Sequence, residues 1–134
     1  MRKIEQDRKA LTRQVGTHLL KRHSGDHEDP ETWLIVAAGM NCRVSSYYYP
    51  GGGLGDYAPT LEADGAGVIT YNTAVTPCKQ ARVICHELAH HILMPLVPGF
   101  VLGEYVICRY EGDPLDERHR IARLIEEFCF RNLK

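Results

Sequence analysis

The chain lacks any long apolar run. Its longest, from Trp33 to Met40, is interrupted by Gly39 and falls well short of the roughly 20 residues a membrane-spanning helix needs. It also lacks an excess of charge of either sign. With 16 Lys and Arg against 17 Asp and Glu, the net charge of −1 gives no case for direct nucleic-acid binding or for a membrane surface. No C-x-x-C pair occurs among the five cysteines (Cys42, Cys78, Cys85, Cys108 and Cys129), and the charged N-terminal stretch is not a secretory leader. Free, mostly buried thiols in a reducing cytoplasm are the expectation. No Gly-Lys-Ser/Thr ending follows Gly51-Gly52-Gly53-Leu54-Gly55, so a flexible turn is expected there rather than a phosphate-cradling loop. Internal repeats are absent too, and 134 residues suit one domain spanning 1–134.

Charge is uneven along the chain even though it balances overall. Residues 1–23 carry seven Lys and Arg against Glu5 and Asp7, while residues 24–76 carry seven acids against Arg43 alone. Two solvated faces, or two segments packed together, account for this; a basic helix that docks an acidic partner is the sharper alternative.

Apolar positions then set out the elements. Ile4, Leu11, Val15, Leu19 and Leu20 recur at helical spacing and predict an amphipathic first helix. Asp29-Pro30-Glu31 combines an N-cap, a first-position proline and a first-turn acid, predicting a short helix from Pro30 to Ala38 that Gly39 ends. Strands are expected at Cys42 to Tyr49, Tyr57 to Glu62 and Gly67 to Asn72. Thr76-Pro77 opens a long helix that Pro95 closes, and Asp113-Pro114 opens the last one, with Ile121, Leu124, Ile125 and Phe128 on one face. Gly103 to Tyr110 reads as a loop or short strand. The predicted class is α+β: a small antiparallel or mixed three-stranded sheet packed on helices.

Chemistry concentrates in His86-Glu87-Leu88-Ala89-His90. Histidines four apart stand one above the other on a helix, the arrangement in which two imidazoles share one tetrahedral Zn²⁺. Glu87, one step around, can reach the attacking water as general base without being a ligand. The three fixed positions would match by accident in roughly three of a hundred chains of this make-up. Here, however, they sit among Val83, Ile84, Leu88, Ala89, Ile92 and Leu93, an apolar setting in which two uncompensated imidazoles are costly.

A catalytic zinc needs a third protein ligand and an open fourth position. No histidine follows His90 at the H-x-x-G-x-x-H spacing, which leaves Asp113, Asp116, Glu117 and His119. Glu117 is favoured because it shares a helical side with Ile121, Leu124 and Phe128. His91 points about a hundred degrees away from His90 and is expected to be a surface or hydrogen-bonded residue. Cys85 is expected in the core.

These segments together resemble the ImmA/IrrE metallopeptidases: Gly67-Val68-Ile69-Thr70-Tyr71-Asn72, Arg82 to Leu93 around the motif, and Glu117-Arg118-His119-Arg120-Ile121-Ala122. The resemblance covers about half the chain, from Gly65 to Ile125. It implies an edge strand before the motif helix, a gluzincin-type site with His86, His90 and Glu117 as metal ligands, and Glu87 as general base. Ala89 stands where that family usually has glycine, Arg118-His119 where it often has Ala-Asn, and its Leu-Leu-Met-Pro sequence is missing. Family members cleave or inactivate helix-turn-helix repressors, so the resemblance also implies a protein substrate of that kind.

The expected function is a zinc-dependent endopeptidase of narrow specificity. A zinc-containing anti-repressor, binding its partner without proteolysis, is the alternative. If Gly67 to Asn72 is an edge strand beside the cleft, it would align an extended substrate by β-augmentation.

Overall fold

A computed structural model describes residues 2–59, 66–93, 108–111 and 117–132, and the elements follow the expected order with one addition. They are α1 (Arg2–Arg22), α2 (Pro30–Ala38), β1 (Cys42–Tyr47), β2 (Gly55–Pro59), β3 (Gly67–Asn72), α3 (Pro77–Leu93), the two-residue β4 (Cys108–Arg109) and α4 (Glu117–Asn132). The fold is α+β, a mixed sheet packed on helices.

Local chemistry explains the helix starts. Asp29 caps α2, its carboxylate accepting from the Glu31 N–H at 3.0 Å, and Thr76 Oγ1 accepts from the Lys79 N–H at 3.3 Å at the start of α3. Both satisfy donors that a first helical turn leaves unpaired. Pro95 and Asp113-Pro114, the expected helix boundaries further on, lie outside the described residues.

Strand order is β1-β3-β2-β4. β3 therefore lies in the middle, parallel to β1 and antiparallel to β2. This corrects the edge-strand expectation and removes β3 as a template for a substrate strand. Along β3, Ile69 and Tyr71 are buried while Val68 and Thr70 are half-buried, as the alternation implied. Such alternation separates the two faces of a strand and is silent about its two edges. The turn after β1 is held by Asn72, whose side chain donates to Tyr49 O (2.8 Å) and Gly53 O (3.1 Å) and accepts from the N–H groups of Tyr49 (3.2 Å) and Ala74 (2.9 Å). That uses the full capacity of a buried amide.

α3 packs against the sheet through β2 and β3, and against α2 and α4. Gly55, at the start of β2, allows this approach: a Cβ there would meet Val83 Cγ1 of α3 at 2.5 Å and Thr70 O at 2.7 Å. α4 packs on both α1 and α3. Its buried residues are His119, Ile121, Ala122, Ile125, Glu126, Cys129 and Phe130, whereas Leu124, expected on that side, is 38% exposed. The helix serves two neighbours, so its buried arc is broad and centred away from Leu124. Of the cysteines whose side chains are described, Cys42, Cys78, Cys85 and Cys129 are free, and all but Cys78 are buried. No helix among the described residues is long and apolar enough to cross a membrane.

Candidate metal centre

α3 presents His86 and His90 from one face with ring centroids 5.0 Å apart, as the four-residue spacing requires. α4 brings His119 to the same place, its ring centroid 4.9 Å from that of His86 and 6.0 Å from that of His90. One ligand atom from each of the three histidines lies within 4.8 Å of the others. All three are buried, so three imidazoles lie close enough to bind one metal ion.

Glu87 lies at the edge of this cluster, its Oε1 3.7 Å from His86 Nε2, and both residues are 0% exposed. Burial pushes the Glu87 carboxyl well above its ordinary value, and the negative charges of Asp56, Glu111 and Glu126 add to the effect against the opposing Arg123. Burial also lowers the pKa of His86, outweighing Glu126, so His86 favours the neutral form that ligates metals.

Two observations test whether the residues fit a metal. Imidazole donors suit zinc, copper, iron or nickel, unlike the all-oxygen sets that hold magnesium or calcium. In addition, His86 Nε2 and both Glu87 oxygens are buried without a hydrogen-bond partner among the described residues. Leaving such atoms unsatisfied costs roughly 1–3 kcal/mol each, and a cation at the imidazoles would relieve the nitrogen's share. The residues fit.

Of the four candidates for the third ligand, His119 is the one the described structure brings to the pair. Glu117 begins α4, but its side chain lies outside the described residues, as do Asp113 and Asp116. His91 is held between two partners, Tyr57 Oη at 2.8 Å from Nδ1 and Met40 O at 2.8 Å from Nε2. Cys85 is fully buried in the core.

Sequence reasoning missed the groups behind His86. Glu126, 2% exposed, places Oε1 3.2 Å from His86 Nδ1, and the Tyr110 ring packs 4.9 Å from the imidazole. One signal was available: Glu126 follows His119 by seven residues, two turns along the same face of α4.

No protein-family model, curated protein or solved structure matches the chain. Fold and site define a small α+β protein carrying a buried three-histidine cluster with an adjacent carboxylate.

Proposed function

We propose that the chain is a zinc-dependent endopeptidase of narrow specificity. The observation that carries this reading is the pairing of a three-imidazole cluster with Glu87, a buried carboxylate that makes no hydrogen bond among the described residues. His86, His90 and one residue of α4 would hold the zinc, and a set of three protein ligands leaves a position open. His119 is the α4 ligand that proximity supports; Glu117 is the one that the ImmA/IrrE resemblance implies. A bound zinc supplies Lewis acidity, polarising a peptide carbonyl and lowering the pKa of water toward neutrality. With a cation beside it favouring the ionised carboxylate, Glu87 would take the proton as water attacks and return it to the leaving amine. A helix-turn-helix repressor is the substrate class that the resemblance supports.

One observation favours the second reading, a metal-containing anti-repressor. His86 and Glu87 are 0% exposed and His90 is 3% exposed, burial that suits a metal serving structure rather than turnover. Glu87→Gln separates the two, because the amide keeps the shape and cannot accept the proton. Zinc-loaded wild type, mixed with a repressor encoded beside it, should cut that repressor. Glu87→Gln should keep its zinc and cut about 10²–10⁴-fold more slowly. A wild type that binds the repressor without cutting it would instead establish the anti-repressor.

A further inference from the structure

Glu126 accepts three hydrogen bonds and has an imidazole nitrogen against it. Its Oε2 accepts from Arg82 Nε at 2.7 Å and from Tyr110 Oη at 3.1 Å. Oε1 accepts from Arg123 Nη1 at 3.1 Å, and His86 Nδ1 approaches the same oxygen at 3.2 Å. That last contact is within hydrogen-bonding distance, but an N–H there is not aimed closely enough at the oxygen to count as a hydrogen bond, and a small turn of the ring would make one. A carboxylate offers about four lone-pair sites, and three of them are taken here, which leaves one for the imidazole. The group therefore cannot turn without giving up a partner. With two guanidinium groups and a phenol already donating to it, the carboxyl group has an acceptor site to offer the imidazole, so a hydrogen bond between them needs the hydrogen on His86 Nδ1. The lone pair of His86 then falls on Nε2, the nitrogen on the Glu87 side.

We propose that Glu126 is a positioning residue of the metal centre: it selects the Nδ1–H tautomer of His86 and holds the ring so that Nε2 is presented to the cluster. This rests on the metal-binding reading given above. Metal-ligating histidines commonly donate their other N–H to a carboxylate, which fixes the ring and strengthens the ligand. Glu126 has the position and the partners to do so for His86, from the helix that also carries His119. Arg82, Arg123 and Tyr110 hold Glu126 in turn. Together with Thr76, Lys79 and Glu127 they line an open hollow of about 430 Å³, so the network reaches solvent. Arg82 is 34% and Arg123 33% exposed, which makes substitution there tolerable to the fold.

The test reads tautomer and affinity separately. In metal-free protein with ¹⁵N-labelled histidine, the His86 signal (assigned by its loss in His86→Gln) should show hydrogen on Nδ1. Glu126→Gln, which keeps the shape but turns one acceptor into a donor, should lose that preference. It should also bind zinc about 10–100-fold more weakly in competition with a chromogenic chelator. Arg123→Gln leaves Glu126 in place and should weaken zinc binding in the same direction by a smaller factor. If Glu126→Gln fails to fold, unchanged affinity in Arg123→Gln overturns the proposal. Unchanged tautomer and affinity in a folded Glu126→Gln also overturn it. A wild type whose His86 tautomer depends on Glu126 but which binds no zinc would sink the metal reading and leave the positioning of the ring standing.

Discussion

His86 stands between two carboxylates in contrasting surroundings. Burial pushes Glu126 up, but His86, Arg82 and Arg123 outweigh it and hold this carboxyl below its ordinary value. Glu87 has no such cation at hydrogen-bonding distance among the described residues, and burial raises it. Acids pushed apart in this way are suited to different tasks. The ligand from α4 can be decided by single substitutions. His119→Ala should lower zinc affinity by at least tenfold in chelator competition, with Glu117→Ala near wild type; the reverse pattern would assign the ligand to Glu117. His86, Glu87 and His90 were legible because helical spacing alone places them. His119 was one of four candidates, since the rotation of α4 about its axis follows from packing on two helices. Glu126 lies forty residues from His86, and no local pattern pairs them.

Among the elements, β3 shows where sequence reading stops. Its alternation was legible, as were the starts of α2 and α3, each fixed by a cap followed by a proline, and the end of α2 at Gly39. Its place between β1 and β2 was not, because strand order depends on which distant segments pair. The consequence can be measured. Proline at Thr70 clashes with strand geometry in a strand bonded on both sides, where Thr70 faces Ser45 and Asp56. Thr70→Pro should abolish cooperative thermal unfolding and lower the yield of folded protein. A folded, zinc-binding Thr70→Pro variant impaired only in cleavage would restore the edge-strand picture. The sequence admits either a loop or a strand where the two-residue β4 lies. Its pairing with β2 leads into Tyr110 beside His86, so even this short element positions the site.

At the scale of the whole molecule, buried histidines make stability depend on pH. His23, His86 and His91 are each lowered from 6.5, mainly by burial. Below that pH the unfolded chain binds protons that the native protein resists, so stability rises with pH across this window and is lost as pH falls. Glu87 acts in the opposite sense, because its raised carboxyl holds a proton in the native state that the unfolded chain releases above 4.5. Glu87→Gln removes that opposing group, so the urea midpoint of the metal-free variant should fall between about pH 7.5 and about pH 5.5, and more steeply than in wild type. A midpoint that rises or stays level over that range would count against the buried, neutral state of these histidines.

The most direct test of the central claim is the zinc content of purified protein after metal loading and removal of excess. About one zinc per chain is expected in wild type and in Glu87→Gln, and almost none in the folded double variant His86→Ala/His90→Ala. Equal zinc in wild type and the double variant would place the metal elsewhere and contradict a site at His86 and His90.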